Sequence, residues 1–196
     1  MTELKVLIQG YAKSFKDHEL AYCSTVLIKE GKLNIIIDPG MNKQLLLKAL
    51  KKEKISPTNV NYVILTHYHL DHSLLTGIFN KAKVLDDTAI YSFDGKIEEH
   101  KGKIPGTNIK LIKTPGHDPF HCSVLVKTKK SGNIVISGDI FWWPESVEQK
   151  IDIKSLINLK DPYMKDKKQL IESRKKVLKI ADFIIPGHGK MFKVEK

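Results

Sequence analysis

Four short apolar runs in the chain each end at a histidine or an aspartate, and this pattern constrains the fold more than any other feature. The runs lie at residues 63–65, 111–112, 134–136 and 183–185. Their β-branched residues and the glycines and prolines that follow are typical of buried strands. If these strands lie side by side, the polar residues beyond them meet at one edge of the fold.

The loops after these runs would bring five histidines and two aspartates to that edge. The residues are His67, His69, Asp71, His72, His117, Asp139 and His188. His67 and His69 are two positions apart, so in an extended segment they point the same way and can share one ion. Imidazoles combined with carboxylates suit Zn²⁺, and also Fe or Mn. A lone histidine after a strand is more often a loop or core residue, so the joint occurrence carries the prediction of a metal site.

The three other histidines do not follow this pattern. We interpret His18 and His100 as surface residues. His121 is interpreted as the start of a strand, with a position beside the site as the alternative. The cysteines Cys23 and Cys122 lie in apolar segments and are expected to be buried free thiols rather than a disulfide.

The order of the predicted elements indicates an α/β (α+β) fold in which two sheets pack together with helices outside. Strands are expected at residues 4–9, 20–29, 33–37, 62–65, 83–85, 109–113, 122–127, 134–137 and 183–185, and helices at 42–54, 73–79 and 165–180. The polar turn at residues 129–133 predicts a hairpin. No linker divides the chain, so we expect a single domain over residues 1–196.

The charge of the chain leaves the type of partner open. The formal net charge is +11, which is compatible with a polyanion such as RNA. However, Arg174 is the only arginine among the 33 basic residues, and phosphate recognition usually recruits arginine. We therefore expect a small-molecule substrate, with RNA as the alternative and a homodimer as an option.

The chain shows no membrane span and no signal pattern, which favours a cytoplasmic protein.

Together these motifs resemble those of the metallo-β-lactamase superfamily, from the first hairpin to residues 186–189. The resemblance implies a four-layer αββα sandwich with a binuclear metal centre, here two Zn²⁺. Carried over residue by residue, it implies a first metal held by His67, His69 and His117, a second held by Asp71, His72 and His188, and Asp139 as the bridge. Asp38 resembles the acidic residue that lies near the site in this family, and we expect it to orient a ligand. A plain turn role for Asp38 is the alternative.

The resemblance also implies a hydrolytic mechanism. A hydroxide bridging the two metals would attack a carbonyl carbon or a phosphorus atom. Asp71 would take the proton of the water, and Asp71 and Asp139 would be the catalytic carboxylates. The expected substrates are small esters, lactones, thioesters or phosphoesters. Two alternatives remain: a ribonuclease or phosphodiesterase of the same fold, and a mononuclear iron enzyme similar to a persulfide dioxygenase.

Five aromatic residues near these motifs are candidates for the wall of a substrate pocket. Tyr11 and Phe15 lie in a segment expected to overhang the site, and Tyr68 lies between two predicted ligands. Trp142 and Trp143 follow Asp139 closely. Adjacent tryptophans in a loop can line an apolar pocket, but they can equally be buried against the core or a second subunit.

Overall fold

The computed structural model describes residues 2–195, which form two main β-sheets and a separate two-stranded hairpin. The hairpin consists of β2 (Tyr11–Ser14) and β3 (Glu19–Tyr22). The first sheet has seven strands in the order β1 (Thr2–Ile8), β4 (Thr25–Glu30), β5 (Leu33–Ile37), β6 (Tyr62–Ile64), β7 (Lys83–Leu85), β8 (Ala89–Tyr91) and β9 (Ile97–Glu99). The second has five in the order β10 (Lys110–Lys113), β11 (Cys122–Thr128), β12 (Gly132–Trp142), β13 (Phe183–His188) and β14 (Phe192–Lys193).

Three helices lie on the outer faces of the two sheets: α1 (Lys43–Lys52), α3 (Ile153–Ile157) and α4 (Lys167–Ile180). The short helix α2 (Leu70–Ser73) instead contacts β3 and contains Asp71 and His72. One apolar core fills the space between the sheets, where Val26 and Ile64 of the first sheet meet Val124 and Ile136 of the second. A second core lies between α1 and the first sheet, and a third between α3, α4 and the second sheet. These layers confirm the predicted αββα sandwich.

Parallel pairing brings the carboxyl ends of several strands to the same edge. Strands β5, β6 and β7 are mutually parallel neighbours, and β12 is parallel to β13. The register between β12 and β13 shifts at Gly138, so that Asp139 lies in an irregular stretch of β12. Asp139 was expected in a loop, but the strand continues past it to Trp142. The irregular stretch still places Asp139 at the edge where the other strands end.

Long-range hydrogen bonds explain where local predictions fail. The helix expected at residues 73–79 is wrong: α2 begins at Leu70, and only a short 3₁₀ turn, Thr76–Ile78, follows it. The Leu75 amide donates to the carbonyl of Gly40 at 3.0 Å, which diverts the chain from the helical path. The strand expected at residues 20–29 is interrupted at Ser24, whose amide donates to the Gly187 carbonyl at 2.7 Å. The helix predicted at 42–54 is confirmed as α1, and Asn42 caps it by accepting from the Leu45 amide.

Other predictions concern the cysteines, the hairpin and the membrane. Cys23 and Cys122 are buried and free, as expected. Strands β11 and β12 pair antiparallel on either side of the polar turn, which confirms the predicted hairpin. Within residues 2–195, every helix is too short or too polar to cross a bilayer.

Candidate metal centre

The structure brings all seven predicted ligands together in two groups. The first contains His67, His69, His117 and Asp139, and the second contains Asp71, His72 and His188. Within each group, the atoms that could bind a metal all lie within 4.8 Å of one another. In the first group, His117 Nε2 is 3.2 Å from His69 Nδ1. This close approach of ring nitrogens from separate loops is the arrangement that a shared cation requires.

Asp139 belongs to the first group but also lies close to two histidines of the second. Its Oδ2 is 3.6 Å from the Nε2 atoms of both His117 and His188. Its Oδ1 is 3.2 Å from His72 Nε2. Gly187 leaves the space that this carboxylate occupies, because a Cβ there would lie 1.7 Å from Asp139 Oδ1. The carboxylate therefore has the position that the predicted bridging role needs.

Asp38 forms a hydrogen bond with His72, a member of the second group. It follows β5 directly and is buried, and its Oδ2 accepts hydrogen bonds from His72 Nδ1 at 2.8 Å and from the Thr66 hydroxyl at 2.7 Å. Its Oδ1 accepts from the Thr66 amide at 2.8 Å. A carboxylate can only accept, so the hydrogen of His72 lies on Nδ1 and Nε2 points toward Asp139. These contacts place Asp38 where the predicted orienting role requires it.

Asp161 makes the equivalent contact in the first group, and sequence reasoning missed it. Its side chain is fully buried, and Oδ2 accepts from His117 Nδ1 at 2.7 Å. Asp161 lies 44 residues from His117 in a loop that follows no strand. The strand-end pattern therefore contained no signal for it.

His121 flanks the site, which corrects its main interpretation as a strand start. The residue does precede β11, but its buried ring lies 5.1 Å from that of His67. Its Nε2 accepts from the Asp139 amide at 3.2 Å, and its Nδ1 bonds the Thr114 hydroxyl at 2.9 Å. Burial, together with nearby His117, lowers the pKa of His121 to about 3. The ring is therefore neutral, as an acceptor at Nε2 must be.

His18 and His100, both expected at the surface, differ in how far their side chains are exposed. The His18 side chain is 60% exposed, which confirms that interpretation. His100 is only partly exposed: its Nε2 bonds the carbonyl of Asp86 at 2.9 Å, and its Nδ1 accepts from the Gly102 amide. The surface interpretation of His100 is therefore wrong, because these two backbone contacts hold the ring between Asp86 and Gly102.

The electrostatics of the centre favour added positive charge. Burial by itself would raise the pKa of Asp139, but His72 and His188 lower it well below its usual range. Burial would lower the pKa of both histidines, yet Asp139 raises that of His72 well above its usual range and that of His188 to about 9. Asp139 thus favours positive charge beside it. A bound cation can supply that charge, and metal binding is commonly coupled to proton release in this way.

The donor atoms also fit metal ions. His67 Nε2, His72 Nε2 and Asp139 Oδ1 are buried and have no hydrogen-bond partner within residues 2–195. Buried polar atoms nearly always have a partner, so three such atoms in one place need an explanation. Imidazole nitrogens and carboxylate oxygens are ligands that Zn²⁺ takes in proteins. A metal centre accounts for all three.

A cavity of about 630 Å³ opens onto both groups. His69, Asp71, Asp139 and His188 contribute to its polar end. Its other walls are mainly apolar and include Leu20, Met41, Leu70, Trp142, Pro144 and Pro162. The Trp142 ring lies 6.1 Å from the His188 ring and 5.8 Å from the Tyr163 ring.

Only Trp142 among the five aromatic candidates lines this cavity. Trp143 packs on Phe192 in the outer core, with ring centroids 5.9 Å apart. The others point elsewhere: Tyr11 stacks on Tyr22, Phe15 stacks on His18, and the Tyr68 hydroxyl bonds Asp86. Sequence reasoning did not select Tyr163, which lines the cavity from the Asp161 loop.

Comparison with known proteins gives the family. The family model described as "Metallo-beta-lactamase superfamily" matches residues 19–86. "Metallo-beta-lactamase domain-containing protein 1" of Xenopus laevis is 30% identical over 97% of this chain and 81% of its own length. An N-acyl homoserine lactonase of Bacillus cereus is 27% identical over 62% of this chain and 58% of its own length. The chain therefore belongs to the metallo-β-lactamase superfamily of metallo-hydrolases.

A solved structure supports the fold. The crystal structure of a candidate metallo-β-lactamase from Thermotoga maritima superposes with a TM-score of 0.75. The two are 21% identical, and the match covers 98% of this chain and 99% of that one. At this identity the similarity concerns the fold.

Proposed function

We propose that the protein is a two-metal hydrolase of small esters or lactones that carry an apolar group. The cavity is the observation that carries this proposal. Its volume of about 630 Å³ is in the range of roughly 300–1,000 Å³ typical of small-ligand sites. It joins a polar end formed by the predicted ligands to mainly apolar walls, which suits a substrate with a reactive carbonyl and an apolar tail.

In this proposal, each of the two groups of side chains would bind one cation. His67, His69 and His117 would hold one, Asp71, His72 and His188 would hold the other, and Asp139 would contact both. When bound, the cations would supply Lewis acidity, which lowers the pKa of water and polarises a carbonyl oxygen. The nitrogen-rich donor set favours Zn²⁺, with Fe or Mn as alternatives.

Asp71 is the carboxylate best placed to move a proton. It lines the cavity, its side chain is 19% exposed, and its Oδ2 lies 3.2 Å from His188 Nε2. Burial would raise its pKa, but His188 and His72 lower it below its usual range. Asp71 is therefore ionised at neutral pH and can accept a proton from an attacking water. The apolar walls at Leu70 and Trp142 would exclude bulk water from the scissile bond.

The charge around the cavity favours a small substrate over RNA. Among the described residues that line the cavity, Lys13 is the one lysine, and it pairs with Glu145 at 2.8 Å. Glu19 lines the same cavity. These carboxylates would repel the phosphates of an RNA backbone, and the paired Lys13 offers little positive charge to attract them.

The complete second group of Asp71, His72 and His188 favours two cations over a single iron.

A substrate panel tests the proposal. We expect the zinc-loaded protein to cleave acyl esters and N-acyl lactones with a kcat/KM at least about 10²-fold above that for phosphodiesters or RNA. Trp142→Ala should raise KM for substrates with long acyl chains by about 10-fold, because it removes an apolar wall. Phe120→Ala is the control, since that exposed ring lies outside the cavity lining. Faster cleavage of RNA than of any ester would refute the proposal.

A further inference from the structure

Asp161 uses its two carboxylate oxygens for two different parts of the site. Oδ2 accepts from His117 Nδ1 at 2.7 Å, and Oδ1 accepts from the backbone amide of Tyr163 at 3.0 Å. The side chain is fully buried, so water does not compete for either bond. Through these bonds, one carboxylate contacts both a predicted metal ligand and the backbone of a residue in the cavity wall.

Tyr163 presents its side chain to the cavity beside the apolar wall. Its ring is 5.8 Å from that of Trp142, and its hydroxyl is 3.5 Å from a carboxylate oxygen of Glu19. The Tyr163 amide is the first backbone N–H beyond Pro162, which has no amide hydrogen to donate. The hydrogen bond to Asp161 therefore holds the backbone from which this ring extends.

The loop that carries Asp161 is anchored by the single arginine of the chain. Arg174 of α4 is 2% exposed, and its Nη1 donates to the carbonyls of Leu159 at 2.7 Å and Ile157 at 3.3 Å. Its Nε donates to the carbonyl of Ile140, next to Asp139, at 2.7 Å. The rigid guanidinium fork thus joins the Asp161 loop to the strand that bears the bridging carboxylate.

We propose that Asp161 is a positioning residue that couples the orientation of His117 to the place of Tyr163 in the cavity wall. The Asp161 carboxylate would then affect cation binding through His117. It would also affect how the apolar group of the substrate fits the cavity, through Tyr163. The part that concerns substrate rests on the proposed function, whereas the part that concerns His117 does not.

The chemistry of a carboxylate explains why aspartate is needed at this position. Because it only accepts, it keeps the His117 hydrogen on Nδ1 and leaves Nε2 free to face His69 and Asp139. An amide has a single acceptor oxygen. The Tyr163 amide cannot change its donor character, but an imidazole can move its hydrogen to the other nitrogen. In Asp161→Asn we therefore expect the side-chain oxygen to face Tyr163 and the NH₂ to face His117, which places a hydrogen on Nε2.

Zinc affinity of the full chain, measured by competition with a chelator, tests the first half. Asp161→Asn should weaken zinc binding by about 10–100-fold, the usual effect of losing a partner of a metal-bound histidine. Asp152→Asn is the matched control. Asp152 is an exposed N-cap that accepts from the Ser155 amide, a role that asparagine also fills. Its zinc affinity should equal that of the unmodified protein.

Amide hydrogen exchange at Tyr163 tests the second half. Asp161→Ala removes both acceptors, so the Tyr163 amide should exchange faster and KM for acyl substrates should rise. Asp161→Asn keeps one acceptor and should preserve much of the protection. Unchanged zinc affinity in both variants, with unchanged Tyr163 exchange, would overturn the inference. Weakened zinc binding in Asp161→Asn, together with an unmodified zinc-loaded protein that cleaves no ester or lactone, would uphold the His117 role and refute the proposed function.

Discussion

Asp139→Asn is expected to lower ester or lactone hydrolysis by more than about 10²-fold and to reduce the metal bound per chain. The magnitude is a lower bound, because even the loss of a residue that merely supports a ligand costs 10–100-fold. The carboxylate oxygens lie 3.2 Å from His72 Nε2 and 3.6 Å from the Nε2 atoms of His117 and His188. Asparagine keeps the volume but removes the negative charge and turns a donor toward one of these nitrogens. Initial rates and elemental analysis of the purified protein measure the two effects.

An exposed aspartate provides the control for this substitution. Asp94→Asn removes a charge from a surface turn in which Asp94 accepts from the Lys96 amide. Its rate and metal content should match those of the unmodified protein. If Asp139→Asn retained both full activity and two bound metals, the assignment of Asp139 as the shared ligand would be wrong. Circular dichroism of both variants shows whether the fold is intact.

The strand-end residues could be predicted because their signal is local. Each apolar run, its turn residues and its histidine or aspartate lie within a few positions of one another. Parallel pairing of β12 with β13 and of β5 with β6 then brings these ends together. Asp38 was not part of this pattern: the family resemblance suggested it, with a plain turn role as the alternative. The seven strand-end residues therefore needed little knowledge of long-range packing.

Asp161 was missed, and the position of His121 beside the site was only the alternative interpretation, because both roles arise from packing. Asp161 contacts His117 from a loop that Arg174 joins to β12 by hydrogen bonds. The main interpretation of His121 used its place before β11, but its ring turns inward to accept from the Asp139 amide. Neither contact has a local sequence pattern. Residues that support ligands across such distances emerge only from the folded chain.

The adjacent tryptophans show a different limit. The sequence predicted that β12 would end near residue 137, which placed both tryptophans in a loop. The strand in fact continues to Trp142, and neighbouring residues of an extended chain face opposite sides. Trp142 therefore lines the cavity, and Trp143 packs on Phe192. Because the predicted end of β12 was a few residues too early, the sequence could not show which of the two tryptophans faces the cavity.

Gly187→Ala is expected to lower kcat/KM by about 10²-fold through a single added methyl group. Its Cβ would lie 1.7 Å from Asp139 Oδ1 and 3.0 Å from the backbone carbon of Gly138, so the carboxylate must move. A displacement of about 1 Å at reacting groups can cost this much. Rates and metal content should fall together, because the clash falls on the group that contacts both sets of ligands.

Gly77→Ala isolates the steric cause of that effect. Neither glycine has a left-handed φ, so alanine carries no conformational penalty of that kind at either position. A Cβ at Gly77 would meet no atom of residues 2–195 within 4 Å, and this variant should keep its rate and its metals. If Gly187→Ala behaved like Gly77→Ala, the carboxylate of Asp139 would have room to shift without consequence. The rate and the metal content would then not depend on the position of the Asp139 carboxylate. A selective loss in Gly187→Ala would instead tie activity to the place of that one carboxylate.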